Sequence, residues 1–363
     1  MDIHAVNETL PQETFVEILS KEQTQEILQI LMLGITPAIS LLGIVGNTFS
    51  ILVLARQGLH KCSNILLISL AVSDITFLIG FNSVPKLIYE IVSDVEGFPY
   101  VRSVSYFLYV LYQIFHIMDY GSGGVSLTLP MLITVERLVA VFLPLHFKQI
   151  VTPSRTWTAV CCFTVFWYIF FIHMSFFLTF EYETKTEYNI SFGLIKRSAY
   201  HYAHLDMVAM LEESMSYVYM RIPPVFTLVG CLVIGVRMKV VSVKRQAMMS
   251  KNSKEASNNR TTKMLLAVCS VYTVACGILS LPTYIPQYLY YTMTSDAPSN
   301  LGRIMYQVIN IALCINSSCN FVIYVVMNKT FRDTYKSIFM NKTFRGTYKS
   351  IFIFQVFSKT KIK

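Results

Sequence analysis

The stretch VSYFLYVLYQIFHIMDYGSGGVSLTLPMLITVERLVAVF, Val104–Phe142, decides the fold. It is apolar over more than the ~20 residues that carry a helix across a bilayer. It lacks the two-residue alternation of a membrane barrel strand. It therefore reads as a spanning helix whose far end projects beyond the lipid. Asp119 and Arg137 interrupt it, and their spacing is informative. At 100° per residue the 18 steps between them return to the same helical face while separating the two charges by about 27 Å. Ser126, eleven before Arg137, and Tyr112, seven before Asp119, fall on that face within about 20°. Charged groups at membrane depth turn toward the interior of a bundle. The stripe Tyr112, Asp119, Ser126, Arg137 thus lines an interior from one side of the membrane to the other, unless it is a polar packing seam that binds nothing.

Working outward, six further apolar runs have the required length: Gln29–Ala55, Asn64–Ile91, Trp157–Phe180, Met215–Val241, Thr262–Tyr291 and Leu301–Met327. The expected fold is all-α, a bundle of seven transmembrane helices. Residues 1–28 form a segment ahead of it, 29–339 the bundle with an interfacial helix, and 340–363 a basic tail. Composition agrees: 54% of residues are hydrophobic and 14% charged, against about a quarter charged in soluble chains. No cleavable signal peptide is evident in the acidic first ~28 residues. Lys and Arg set the orientation. The loop after the fifth run holds Arg237, Lys239, Lys244, Arg245, Lys251, Lys254, Arg260 and Lys263 against Glu255, whereas Glu8, Glu13, Glu17, Glu181, Glu183 and Glu187 lie on the other side. The N-terminus is expected outside and the C-terminus in the cytoplasm of a multi-pass plasma-membrane protein. The net charge of +9 then reflects a basic face beside anionic lipid, not nucleic acid. Sequons at Asn7 and Asn189 fall outside and are candidate glycosylation sites. The eight cysteines lie in or beside the runs with neither metal-ligand nor disulfide-framework spacing.

The tail carries a repeat. MNKTFRDTYKSIF at Met327–Phe339 recurs as MNKTFRGTYKSIF at Met340–Phe352. Each copy sets Phe331, Tyr335, Ile338 and Phe339, or their counterparts, on one helical face opposite Lys and Arg. That is an amphipathic helix on the inner leaflet. Asp74, inside the second run, needs partners at membrane depth, and Asn47, Ser126, Asn316, Ser317 and Asn320 are candidates. A carboxylate ringed by hydroxyls and amides suits a small hard cation such as Na⁺, with Asp74, Ser126, Asn316 and Ser317 as ligands. A buried hydrogen-bond network without an ion fits equally. No other cofactor is expected.

Taken in order, several motifs resemble the rhodopsin-like (family A) G-protein-coupled receptors. They are Gly46-Asn47, Leu70-Ala71-Val72-Ser73-Asp74, Glu136-Arg137-Leu138, Trp167, Pro223-Pro224, Pro282, and Asn316-Ser317-Ser318-Cys319-Asn320-Phe321-Val322-Ile323-Tyr324. Phe331-Arg332 opens the eighth helix. The form of the last motif, and Pro144-Leu145-His146-Phe147-Lys148-Gln149-Ile150-Val151-Thr152-Pro153-Ser154-Arg155-Thr156, is similar to invertebrate branches, molluscan chemosensory and FMRFamide-receptor-like proteins among them. The chain also departs from the family pattern. Tyr112 stands where the family places a span-three cysteine, and Thr179–Glu212 holds no cysteine to pair with one, which leaves the outer loop held by packing alone or mobile. Phe321 replaces a proline, Ser280 precedes Pro282 by two, and Pro130 lies inside span three, where it removes a backbone hydrogen bond.

The resemblance implies a receptor that binds an extracellular ligand, a peptide or a small chemosensory molecule, and activates a heterotrimeric G-protein by outward movement of span six. Asp119 is then either the ligand's counterion or a partner between helices, with Tyr112, His116, Ser122, Tyr284, Tyr288 and Cys314 shaping the pocket. Glu136, Arg137, Leu138, Asn320 and Tyr324 would form the coupling switch. Partners would be ligand, G-protein and lipid. A non-signalling or decoy receptor is the alternative, because the switch motifs are altered. An amine receptor is less favoured, since Arg221-Ile222-Pro223-Pro224 offers no hydroxyls. A transporter is disfavoured by the lack of internal repeats among the spans. A light receptor would require a lysine in Leu301–Met327, where none stands. No nucleophile–base pair or metal cluster points to an enzyme.

Overall fold

The computed structural model describes residues 18–92, 97–185, 190–246, 253–281, 285 and 299–339. Its helices are α1 (Lys21–Arg56, with a π turn at Ile30–Ile35), α2 (Cys62–Phe81), α3 (Arg102–Phe142), α4 (Pro153–Ser175), α5 (Ile222–Gln246), α6 (Ser253–Leu279), α7 (Asn300–Met327) and α8 (Lys329–Phe339). Six helical segments among the described residues are long and apolar enough to cross a membrane, and Leu266–Leu279 in α6 adds a shorter apolar one. Among the described residues the bundle is therefore helical, with a spanning-length segment on six of the apolar runs and a shorter apolar helix on the sixth run in chain order.

Local chemistry sets the helix ends. Ser20 and Gln23 form a reciprocal capping box at the start of α1. Thr152 caps α4 ahead of Pro153, and Ser299 caps α7. Asn328 accepts from the Phe331 N–H and opens α8. The second run breaks after α2 at Asn82–Ser83 and resumes as Val84–Leu87 with a π turn at Ile88–Val92. The resumption sets Pro85 in a first helical turn, where its missing N–H costs least. α3 stays one helix through Pro130, where Thr134 Oγ1 donates to the Pro130 carbonyl. α2 packs on α3, α1 on α2 and α7, and α4 and α5 on α3. Trp167 of α4 is buried over Gly124, and its Nε1 donates to Thr128 Oγ1 at 3.2 Å.

Three expectations are corrected. The run Trp157–Phe180 is not wholly a helix: α4 ends at Ser175, and Leu178–Lys185 (β1) pairs antiparallel with Ile190–Arg197 (β2). This hairpin is the β element that an all-α reading omits. The loop is also not held by packing alone. Phe98 N donates to Gly193 O at 2.8 Å, and Gly193 N returns a bond to Phe98 O at 3.0 Å. Glycine permits the approach, since a Cβ at Gly193 would lie 2.9 Å from Ser105 Cβ. Lys196 bridges Glu181, at 2.9 Å, and Glu183 across the hairpin. Hydrogen bonds that its ammonium donates to Glu183 and Glu181 hold Lys196 above the usual lysine range. At 40% exposure the bridge contributes little. Lastly, α1 begins at Lys21, eight residues before the expected boundary at Gln29.

The apolar face of α8 docks on protein as well as facing lipid. Phe331 is buried, and Tyr335 and Phe339 pack on Phe49 of α1 with ring centroids 5.8 and 4.9 Å away. Phe321 of α7 joins the cluster, 5.9 Å from Phe49 and 5.6 Å from Tyr335. Gly46 leaves it room, since a Cβ there would lie 3.0 Å from Phe321 Cβ. The second repeat copy lies outside the described residues.

Candidate functional site

The α3 stripe faces inward. Asp119, Ser126 and Arg137 are buried, and Tyr112 is half-buried. Each polar position meets a different neighbour, so the stripe resolves into three layers.

The layer nearest the N-terminal side centres on an ion pair that the sequence reading did not anticipate. Lys86 Nζ, in the helix resumed after Ser83, lies 3.4 Å from Asp119 Oδ2. Both side chains are 8% exposed. The ammonium also sits 3.9 Å from the centroid of the Phe81 ring and 3.4 Å from the Tyr306 hydroxyl. Tyr306 in turn hydrogen-bonds Tyr120 at 3.0 Å. His116 stacks between Tyr112 and Tyr120, at 5.8 and 4.5 Å. Asp119 is thus a partner between helices, and an amine would have to displace Lys86 to use it. Lys86 sits one position after Pro85 as the one cation of the run Asn64–Ile91, and that charge was the signal for it.

Two expected pocket residues are engaged elsewhere. Ser122 is 1% exposed and bonds the Tyr168 hydroxyl of α4 at 2.8 Å. Cys314 is fully buried and receives a 3.7 Å bond from Ser40 of α1. Small or hydroxylic side chains on helix faces serve packing as readily as ligands. Tyr284, Tyr288, Pro282, Asn7 and Asn189 lie outside the described residues.

Close approach of α2 to α3 makes this layer possible. A Cβ at Gly80 would stand 2.7 Å from the Asp119 backbone nitrogen and 3.0 Å from the Phe115 carbonyl oxygen. Backbone cannot move aside as a side chain can. Gly80→Ala is therefore expected to cost about 1–3 kcal/mol through overpacking and to weaken the Lys86–Asp119 contact. Thermal inactivation of the purified protein measures it, and a wild-type midpoint would refute the argument.

The middle layer surrounds Asp74, which is fully buried. Ser126 Oγ donates to its Oδ1 at 2.5 Å, Asn320 Nδ2 to its Oδ2 at 2.9 Å, and Ser317 also bonds it. Asn47 Nδ2 donates to the Ser317 carbonyl at 2.8 Å. Its Oδ1 is buried without a hydrogen-bond partner among the described residues. Among those residues Asn320, not Asn316, reaches the carboxylate. Asn320 therefore belongs to this layer rather than to the coupling switch alone. A carboxylate and two hydroxyls are oxygen donors of the kind that a small hard cation takes.

At the C-terminal side Arg137 Nη2 lies 3.2 Å from Glu136 Oε2 and donates to Ser63 Oγ of α2 at 2.5 Å, while Ser63 donates to Glu136 Oε1 at 2.8 Å. Arg137 and Glu136 are 8% and 4% exposed. Tyr324 is buried with its ring 5.5 Å from Phe331, so it belongs to the α7–α8 junction here. Leu138 lies on the flank facing α5, close to Gly230. Ser63 is the member that sequence reasoning missed, because nothing local marks a serine at a helix start as an arginine ligand.

Comparison with known proteins follows the same outline. A family model described as serpentine type 7TM GPCR chemoreceptor Srw matches residues 34–342. The chain is 23% identical over 304 residues to galanin receptor 2b of Danio rerio, covering 83% of this chain and 72% of that receptor. It is 28% identical over 152 residues to melanin-concentrating hormone receptor 1 of Rattus norvegicus, covering 41% of this chain and 39% of that receptor.

Proposed function

The chain belongs to the serpentine 7TM GPCR chemoreceptor family Srw, and on that premise we propose that it binds an extracellular peptide or small chemosensory molecule on the N-terminal side of its bundle and activates a heterotrimeric G-protein on the other. It is a multi-pass membrane receptor. The basic loops support a reading with the N-terminus outside and the C-terminus in the cytoplasm.

The observation that carries the reading is the Lys86–Asp119 pair, 3.4 Å apart and set among Tyr112, His116, Tyr120 and Tyr306. The layer offers both signs of charge and flat aromatic faces. A ligand with polar groups of either sign can exchange contacts with it, and only a ligand that does so differently in two states shifts the equilibrium between them. A lone amine gains less, because Asp119 already has a cation. The names of the similar proteins, a galanin receptor and a melanin-concentrating hormone receptor, support a messenger-type ligand. The resemblance to rhodopsin-like, invertebrate FMRFamide-receptor-like and molluscan chemosensory sequences points the same way.

Asp74, Ser126 and Ser317 would hold a sodium ion, which would supply a fixed positive charge between α2, α3 and α7. Opening of α6 away from α3 would expose the Glu136–Arg137–Ser63 layer to a G-protein, with the basic loop after α5 as docking surface.

Cells expressing the receptor with a G-protein dissociation reporter, challenged with mixed peptides, amines and odorants, test the reading. The expected result is a response to a peptide or odorant fraction that Lys86→Met weakens per receptor at the cell surface. A well-expressed receptor with neither evoked nor basal dissociation would instead support a non-signalling or decoy role.

A further inference from the structure

Three consecutive residues of α3 fasten three different helices. Ser126 Oγ donates to Asp74 of α2 at 2.5 Å. Thr128 Oγ1 accepts from Trp167 Nε1 of α4 at 3.2 Å. Between them, the Leu127 carbonyl accepts from the Tyr272 hydroxyl of α6 at 2.6 Å. The first two ties use side chains of α3. The tie to α6 uses its main chain, so Tyr272 is the one side chain that makes it. Leu127 stands ten residues before Arg137, about 15 Å along the helix, so this contact is separate from the arginine's own.

Pro130 belongs to the same turn. It has no N–H to give the Ser126 carbonyl four residues back, and its ring crowds that carbonyl. Helices at membrane depth accommodate a proline when their neighbours satisfy the loosened backbone. Leu127 lies within the loosened turn. From the other side Thr134 Oγ1 donates to the Pro130 carbonyl at 2.8 Å. A threonine hydroxyl has one hydrogen, so its 3.9 Å contact with Cys269 of α6 is a weak thiol bond. Among the described residues these are the two hydrogen bonds between α6 and α3, and the tyrosine's is the strong one.

Met264, Val268, Cys276 and Leu279 of α6 are also buried, and they are apolar. Apolar surfaces exchange contacts gradually as helices shift, but a hydrogen bond in a dry interior is either made or broken. Tyr272 and Leu127 are each 1% exposed, so a hydroxyl released there meets no bulk solvent to replace its partner. We propose that Tyr272 is a clasp that seats α6 against the Pro130 turn of α3 in the resting state, and that its release frees α6 to swing. The inference rests on the reading of α6 movement given above. Tyr272 is a positioning residue: it acts through the place of its helix, not by meeting ligand or G-protein.

Two native cysteines read the clasp without reference to signalling. Cys269, 4% exposed, stands three residues before Tyr272 on the α6 face that meets α3. Cys314, fully buried, lies between α7 and α1. Full-length receptor in nanodiscs is treated with N-ethylmaleimide, and modification of each cysteine is followed by mass spectrometry. Tyr272→Phe keeps the ring and removes the hydroxyl. In it Cys269 is expected to react about three- to tenfold faster than in wild type, the effect of one net hydrogen bond on the open population, with Cys314 unchanged. Basal G-protein dissociation in cells should rise by a similar factor. An unchanged Cys269 rate overturns the proposal. So does an equal rise at Cys269 and Cys314, which would make Tyr272 a packing residue whose change loosens the whole bundle. A basal rise in Glu136→Gln with none in Tyr272→Phe overturns it as well. Faster Cys269 labelling with no dissociation from either variant would uphold the clasp and sink the G-protein reading instead.

Discussion

Asp119→Ala is expected to lower the stability of the purified receptor by about 3–5 kcal/mol, the typical consequence of leaving one member of a buried ion pair unpartnered. Lys86 would keep its charge between Phe81 and Tyr306, with the Glu90 carboxylate its remaining offset. Removing both charges with groups of similar volume, Lys86→Met with Asp119→Leu, should restore stability to within about 1 kcal/mol of wild type or above it. Thermal inactivation in detergent, run as a double-mutant cycle, makes the comparison. A stable Asp119→Ala protein that has lost only its ligand response would reverse the assignment and make Asp119 a free counterion. A double variant no better than the single would mean that the layer's hydrogen bonds outweigh its charges.

The second large effect is expected at the opposite end. Glu136 and Ser63 together hold the Arg137 guanidinium. Glu136→Gln removes the compensating charge and leaves the arginine free to seek another partner. Should that shift the resting and active states by only about 1.4 kcal/mol, their ratio changes about tenfold, so basal G-protein dissociation should rise by about that factor. Arg137→Ala should abolish both basal and evoked dissociation at unchanged surface expression. Ser63→Ala should fall between, since it removes a neutral hydrogen bond. An Arg137→Ala receptor that still signals, or a silent Glu136→Gln receptor, would place the switch elsewhere.

Run length and apolarity made the bundle legible from sequence, because lipid imposes a length that few other structures need. Phase made the stripe legible: Asp119, Ser126 and Arg137 face inward as a 3.6-residue period requires. What escaped the reading was partner identity. Lys86 was absorbed into the apolar run Asn64–Ile91, although a lone lysine beside Pro85 needed an anion. Ser63 and Asn320 were chosen over neighbours by the rotation of α2 and α7 about their axes, which no local pattern records. The hairpin was hidden by aromatic residues that extend the apolar run past Ser175. Yet Thr179-Phe180-Glu181-Tyr182-Glu183 alternates as a strand does, and that alternation was the missed signal. Ser122 and Cys314, assigned to a pocket by position, are hydrogen-bonded to Tyr168 and Ser40, partners that position alone does not reveal.

The pairing of Phe98 with Gly193 has a consequence for how such a receptor diverges. A covalent cross-link requires two particular side chains and breaks or forms only by redox exchange. A main-chain latch asks for almost nothing from side chains beyond a small residue at the contact. The hairpin is therefore free to vary at its exposed positions while its anchoring stays the same. Its grip responds to heat and denaturant but not to thiols in the surroundings. The hairpin thus keeps its hold on the bundle whatever the redox state around it.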